Sequence, residues 1–117
     1  MQLNEGARNR LWHVAAACRT IQGWTREKDL KDYLASPIVR AAVERQFILI
    51  GEALRQAVDL DGAIHAHVTD VLSIVNFRNF LVHNYSKIDD QVVWASVRDD
   101  LPLLLAECRS LLGELPA

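Results

Sequence analysis

The segment RNFLVHNYSKIDD, residues 78–90, places an arginine, a histidine and a tyrosine close together in an apolar part of the chain. The guanidinium of Arg78 carries a permanent charge shaped for phosphate oxygens, and the imidazole of His83 can take or give a proton near neutral pH. RNA can be cut without a metal if a base removes the 2′-hydroxyl proton, a cation stabilises the phosphorus centre and an acid protonates the leaving 5′-oxygen. Because one histidine does not easily serve both proton transfers, this chemistry would require a two-fold dimer.

The same residues have a structural interpretation. A buried arginine, asparagine and histidine can form a satisfied polar network that fixes helix register or a dimer interface. Asn79 lies one turn before His83 and would then only orient the imidazole ring. Spacing alone does not choose between the two interpretations, but they predict different effects of losing His83. If the histidine is structural, its loss changes the assembly of the protein more than its activity.

The helix that carries these residues has an unusual distribution of side chains. A start at Thr69 or Asp70 and an end near Asn84 are predicted from its flanking residues. Apolar residues cover almost all of its sides, which predicts the central and most buried helix of the fold. A narrow polar stripe, made of side chains within ~60° of each other, runs along it and includes Asn76, Asn79 and His83 beside Leu72.

The remaining apolar residues recur in steps of three and four, which is typical of amphipathic helices. This spacing predicts one helix over residues 3–22 and a core-forming helix over residues 38–58. A short helix is expected from Thr25 to Leu34, and Ser36 and Pro37 have the residue types that open a helix. A last helix should start at Asp89 or Asp90 and be kinked or restarted at Pro102.

On the outer side of the 38–58 helix, Arg45, Glu52 and Gln56 form a polar stripe. We expect Glu52 to pair with Arg45 on a surface or an interface, although it could instead face the 78–90 segment across a dimer. Since no segment alternates apolar and polar residues, no strand is predicted. The expected fold is all-α, a single-domain antiparallel bundle of four to five helices over residues 1–117.

Composition narrows the class of protein further. The 117 residues carry a net charge of −2, so contact with nucleic acid would need a local or an assembled site rather than a general basic field. Cys18 and Cys108 lie in helical patterns and are interpreted as buried free thiols, with a disulfide less favoured. No signal peptide or membrane span is predicted, so we expect a cytoplasmic protein with no membrane association.

Cofactor and metal motifs are missing from the sequence. It contains no Gly-x-Gly-x-x-Gly, no Walker pattern and no Cys-x-x-Cys pair. His65 and His67 are two residues apart and would point to different sides of a helix, so they are interpreted as surface or loop residues. Neither a cofactor nor a bound metal is therefore expected.

The spacing Arg78-x4-His83-x-Tyr85 resembles the signature of the HEPN superfamily, and specifically of its HepT-like toxins. Two further segments are similar to that family, AVERQFILIGEAL at 42–54 and KIDDQVVWASVRDDLP at 87–102. The resemblance extends over most of the chain, from the first helix to Pro102. Three segments in the family's order within one short all-α chain are more specific than the motif alone.

The resemblance implies the toxin of a type II-like toxin–antitoxin pair, a metal-independent endoribonuclease that cuts RNA at a composite site in a homodimer. Arg78 and His83 would be the catalytic pair, and Asn79 a supporting polar residue. Tyr85 would be the residue that a cognate minimal nucleotidyltransferase antitoxin modifies with AMP, which inhibits the toxin. The alternative is a non-catalytic HEPN module that binds a nucleotide or docks the nucleotidyltransferase.

Overall fold

The computed structural model describes residues 2–114, except for the side chain of Tyr85, and the regular structure in this range is entirely helical. The helices are α1 (Glu5–Thr25), α2 (Leu30–Ala35), α3 (Pro37–Leu60), α4 (Val71–His83), α5 (Asp90–Ala95) and α6 (Leu101–Leu111). A wide turn, Ser96–Asp100, joins α5 to α6, so that the two form one irregular helix. The predicted all-α bundle is confirmed. None of the described helices is long and apolar enough to cross a membrane.

The centre of the bundle is formed by α1 and α3. Both amphipathic patterns predicted from the sequence are confirmed, because the apolar stripe of each helix is buried; it includes Leu11 and Ile21 on α1 and Val43, Ile50 and Leu54 on α3. Helix α6 packs against α1, whereas α4 packs against α3. Helix α4, which carries Arg78 and His83, therefore packs against one of the two central helices, α3.

Most of the predicted helix boundaries are confirmed. Helix α3 begins at Pro37, and the hydroxyl oxygen of Ser36 accepts a hydrogen bond from the N–H of Val39 at 3.2 Å. The carboxylate of Asp89 accepts from the N–H of Gln91 at 2.9 Å and caps α5. The predicted restart near Pro102 corresponds to the wide turn between α5 and α6.

The start of the short helix α2 was predicted too early in the sequence. It starts at Leu30 and not at Thr25, which is the last residue of α1. The Thr25 hydroxyl donates to the carbonyl oxygen of Ile21 at 2.8 Å, so it does not cap a new helix. The cap is Asp29, whose carboxylate and backbone N–H exchange hydrogen bonds with Asp32. A threonine between two helices can close the first as well as open the second, and here it closes the first.

The prediction that α4 is the central, most buried helix is wrong. Only Val71 and Leu81 of α4 are buried, whereas Leu72 is 70% exposed, Phe80 39% and Val82 38%. An apolar composition on all sides indicates that a helix is covered, but it does not tell whether its own chain or another molecule covers it. In this chain, α3 covers one side of α4 and leaves the opposite side open.

The two cysteines are buried and free, as predicted. Burial raises the pKa of the Cys108 thiol to about 12 and also raises the pKa of the Cys18 thiol. Both groups are therefore protonated thiols at neutral pH and behave as small apolar core residues.

Candidate functional site

The guanidinium of Arg78 is held between two helices. Its Nη2 lies 3.0 Å from Oε2 of Glu52 on α3, and its Nη1 donates to Oδ1 of Asn79 at 2.8 Å. The Arg78 side chain is 26% exposed, so the charged end reaches solvent while the stem packs against α3. Its Nε is buried and has no hydrogen-bond partner within the described residues. Each terminal nitrogen carries a second N–H that is left for a ligand, whereas the buried Nε–H is not accessible.

Gly51 brings α4 close to α3 at this point. A β-carbon added to Gly51 would collide with the β-carbon of Arg78 and would lie 2.8 Å from its γ-carbon and 3.3 Å from the carbonyl oxygen of Ile74. Glycine inside a helix costs about 1 kcal/mol relative to alanine, so it needs a reason to be there. The close approach of Arg78 supplies that reason. Sequence reasoning did not identify Gly51, although an isolated glycine in a helical pattern was the available signal.

Glu52 is the centre of a polar network that links α1, α3 and α4. Its Oε1 accepts hydrogen bonds from Arg55 at 2.7 Å and from Gln56 at 3.0 Å. Oε1 of Gln56 accepts in turn from Nε of Arg10 on α1 at 2.7 Å. The hydrogen bond from Arg55 is the main reason that the pKa of Glu52 lies below its ordinary value, with smaller contributions in the same direction from Gln56 and Arg78. Glu52 is therefore ionised at neutral pH.

The predicted pair of Glu52 with Arg45 is wrong. The ion-pair partners of Glu52 in the described part of the chain are Arg55 and Arg78. Arg55 is three residues further along α3, where side chains on one helix meet, whereas Arg45 lies about two turns away. Arg78 comes from another helix, and helical spacing within α3 contains no information about it.

His83 is the last residue of α4 and is exposed. It lies five positions after Arg78 on the helix, which corresponds to about 7.5 Å along the axis and a rotation of about 140°. Arg78 points to α3, whereas His83 lies on the open side of α4. The contacts found for Asn79 are with Arg78, so this amide orients the arginine and not the imidazole.

The polar stripe on α4 lies on the surface of the chain. Leu72, Asn76, Asn79 and His83 are all exposed, although the apolar surroundings had predicted a buried stripe. The polar groups of Asn76, Asn79 and His83 are therefore in contact with solvent in the single chain, and burial does not require each of them to have an internal partner. The exposed side of α4 that carries Leu72, Asn76, Asn79 and His83 is its open face, and it combines polar side chains with exposed apolar ones.

Tyr85 follows this face directly. Its backbone begins the 3-10 turn Tyr85–Lys87, which is separated from the end of α4 by the single residue Asn84. The side chain of Tyr85, which the sequence motif singled out, lies outside what the structure describes.

Away from α4, the other histidines form no cluster with possible metal ligands. His65 and His67 are exposed in and next to the 3-10 turn Gly62–Ala66, as predicted. Across residues 2–114, no group of three or more histidine, cysteine, aspartate and glutamate residues is arranged to hold a metal ion.

Comparison with known proteins gives one family. A family model described as ribonuclease HepT-like matches residues 14–111. The chain is 29% identical to the probable ribonuclease HepT of Thermococcus cleftensis over 98 residues, which cover 84% of this chain and 88% of that protein. It is 27% identical to a candidate RNase of Methanocaldococcus jannaschii over 99 residues, which cover 83% of this chain and 88% of that protein. No solved structure gives a significant match.

Proposed function

Because the chain belongs to the family of HepT-like ribonucleases, we propose that it is a metal-independent endoribonuclease whose site combines the Arg78 and His83 of two copies in a homodimer. One observation carries this proposal. Helix α4 presents a guanidinium that α3 holds in place and, one and a half turns later, an exposed imidazole on an open face. The first group can bind an RNA phosphate and the second can transfer protons.

The proposed reaction uses the 2′-hydroxyl of RNA as its nucleophile. His83 of one protomer removes the 2′-hydroxyl proton while the O2′–P bond forms. Arg78 stabilises the charge on the phosphorus-bound oxygens through N–H groups that Glu52 and Asn79 do not occupy. The P–O5′ bond breaks, and His83 of the partner subunit, protonated beforehand, gives its proton to the leaving oxygen. The products are a 2′,3′-cyclic phosphate and a 5′-hydroxyl.

This mechanism predicts a defined product and no need for a divalent cation. We expect the purified protein to cleave single-stranded RNA at the same rate with and without EDTA and to leave 2′,3′-cyclic phosphate ends, which mass spectrometry of the fragments identifies. A matched oligonucleotide with 2′-O-methyl groups should stay intact, because it has no nucleophile. Loss of cleavage in EDTA with recovery in Mg²⁺, or cleavage of the 2′-O-methyl strand, would contradict the mechanism.

The open face of α4 supports the dimer. Leu72 is exposed on the same face as Asn79 and His83, and Phe80 and Val82 are exposed on the two flanks of that face, about 80° to either side. Exposed apolar side chains grouped on one helix are typical of protein interfaces. A two-fold axis beside this face would bring the two motifs close together, because the same surface patch of both subunits forms such an interface.

We therefore expect the wild-type protein to have the mass of two chains in solution, and the Leu72→Arg variant to be monomeric. Leu72 lies on the midline of the open face, at the N-terminal end of α4, and the added charge has no place in an apolar contact. Cleavage by the variant should fall at least about tenfold at the same concentration, since loss of a subunit removes one histidine from each site. Sedimentation measures the mass and a fluorogenic RNA measures the rate.

Ile38→Arg is the matched control for this experiment. Ile38 is 82% exposed at the start of α3, so the same substitution there should leave both mass and activity unchanged. A wild-type protein that is monomeric and fully active at micromolar concentration would refute the shared site.

We further propose that this ribonuclease is the toxin of a type II-like toxin–antitoxin pair, and that a minimal nucleotidyltransferase inhibits it by adding AMP to Tyr85. Tyr85 comes two residues after His83, in the turn that follows α4. Nucleotide attached there would bring a negative phosphate and considerable bulk to the position that the RNA phosphate needs. The modified toxin would fail to bind its substrate through repulsion and occupancy.

Tyr85→Phe should separate toxicity from inhibition. The variant has no phenolic oxygen to modify, so we expect it to arrest growth even when the nucleotidyltransferase is co-expressed. The wild type should gain the mass of AMP and allow growth. Tyr33→Phe is the control, because Tyr33 is fully buried and should not affect the modification. If the nucleotidyltransferase neutralises Tyr85→Phe as well as it neutralises the wild type, Tyr85 is not the regulated residue.

One observation also fits the alternative, a non-catalytic module that binds a nucleotide or docks the nucleotidyltransferase. The ion pair with Glu52 balances the charge of Arg78 without substrate, as a structural network would. This alternative predicts that the protein binds RNA or nucleotide without cutting it. The cleavage assay with natural RNA distinguishes the two functions.

A further inference from the structure

We propose that Glu52 is a positioning residue for Arg78: its carboxylate fixes the plane of the guanidinium before RNA binds. The inference rests on the proposed ribonuclease function and adds to it a residue outside the Arg78–His83 motif. Glu52 would not touch the RNA itself. Its effect would be exerted through the arginine.

The guanidinium of Arg78 is contacted from two sides. Glu52 holds Nη2 at 3.0 Å and Asn79 holds Nη1 at 2.8 Å, so both terminal nitrogens of the guanidinium are anchored. A directional hydrogen bond at one terminal nitrogen and an ion pair at the other restrict the orientation of the planar group, so the remaining N–H bonds point in a limited range of directions. A free arginine side chain would lose rotamer entropy on binding, whereas here the fold has already ordered it.

The carboxylate of Glu52 is held in place as well. Its other oxygen accepts hydrogen bonds from Arg55 at 2.7 Å and Gln56 at 3.0 Å. Arg10 on α1 holds Gln56 in turn, at 2.7 Å. A carboxylate with these partners cannot easily turn away when substrate arrives. Hydrogen-bonded networks of this kind hold functional groups more precisely than single contacts do.

A competing account is that Glu52 imitates an RNA phosphate and blocks Arg78 until substrate displaces it. That account requires Glu52 to move, and its bonds to Arg55 and Gln56 oppose such a movement. The two accounts predict opposite effects of removing the charge. A positioning residue is needed for fast cleavage, whereas a blocking residue slows it.

The experiment compares Glu52→Gln with the wild type in three measurements: kcat for single-stranded RNA, the Kd for a 2′-O-methyl copy of the same strand, and the unfolding temperature. We expect kcat to fall at least about tenfold, because displacement of a catalytic group by about 1 Å has effects of that size or larger. The Kd should change less than about threefold, since orientation affects the transition state more than ground-state binding. The unfolding temperature should stay near that of the wild type.

Glu114→Gln is the matched control. Glu114 pairs with Arg19 at 2.8 Å in another part of the surface, so the same substitution removes an ion pair of similar geometry without touching Arg78. All three measurements should match the wild type. Glu52→Asp provides a second variant, which keeps the charge but shortens the side chain by one methylene; we expect its kcat to be lowered too.

Three results would overturn the proposal. The first is a kcat of Glu52→Gln equal to or above that of the wild type, or a tighter Kd, which would indicate a blocking role. The second is a parallel loss of kcat, RNA binding and unfolding temperature, which would indicate a purely structural role. The third is full activity of Glu52→Asp. If the wild type itself does not cut RNA, the proposed function fails; if the wild type cuts and Glu52→Gln cuts equally well, only this inference fails.

Discussion

Replacement of His83 by alanine is expected to lower kcat for RNA cleavage at least about 100-fold, because general acid–base catalysis contributes about 10²- to 10⁴-fold. In the proposed dimer the substitution removes both the base and the acid from each site. His83 is exposed at the end of α4, so the variant should fold and keep its stability within about 0.5 kcal/mol. We therefore expect the variant to lose catalytic rate while it keeps its folded structure.

The test combines a rate, a mass and a growth measurement. Wild type and His83→Ala are compared for cleavage of a fluorogenic RNA, for solution mass and for growth of cells that express them. His67→Ala is the control, because His67 is also exposed but lies before α4. If His83→Ala changes the mass but cleaves RNA normally, the histidine is a structural residue of the interface. If neither protein cleaves RNA but both bind it, the chain is a binding module.

The second large effect is expected from Gly51→Ala, which should lower the free energy of unfolding by about 1–3 kcal/mol. Alanine is the better helix former by about 1 kcal/mol, so propensity alone predicts the opposite sign. The collision with the β-carbon of Arg78 decides the outcome, since the carbonyl oxygen of Ile74 lies close by and α4 can only move away from α3. That movement would also separate Arg78 from Glu52 and slow cleavage.

Gly23→Ala is the natural control for this substitution. Gly23 also lies inside a helix, α1, but an added β-carbon there would meet no atom within 4 Å. We expect this variant to gain up to about 1 kcal/mol from the lower backbone entropy of alanine. Urea unfolding monitored by circular dichroism measures both variants. Equal changes in the two proteins would show that close packing of α3 and α4 does not explain Gly51.

Much of the fold could be predicted from sequence because its determinants are local. Whether a residue such as Leu11 or Leu54 is buried follows from the spacing of apolar side chains along its own helix. The cap at Ser36 is likewise set by neighbours within one turn. Arg78 and His83 were predicted as a candidate site in the same way, from their chemistry and separation on one helix.

Contacts between helices could not be predicted in this way. The partner of Glu52 was expected on its own helix, at Arg45, whereas Arg78 approaches from α4 because Gly51 leaves room for it. The exposure of α4 was missed for a related reason. An apolar composition indicates that a helix surface will be buried. Whether the same chain or another molecule buries it depends on three-dimensional packing and on association.

The open face of α4 has a consequence for how activity depends on the amount of protein in the cell. If the reactive groups are complete only when two such faces meet, the fraction of active molecules depends on total concentration relative to the dissociation constant of the dimer. Well below that constant, the number of complete sites rises with the square of the amount of protein. A twofold increase in synthesis would then increase activity about fourfold by mass action. Association through α4 would thus make the activity rise more steeply than the amount of chain when expression is low.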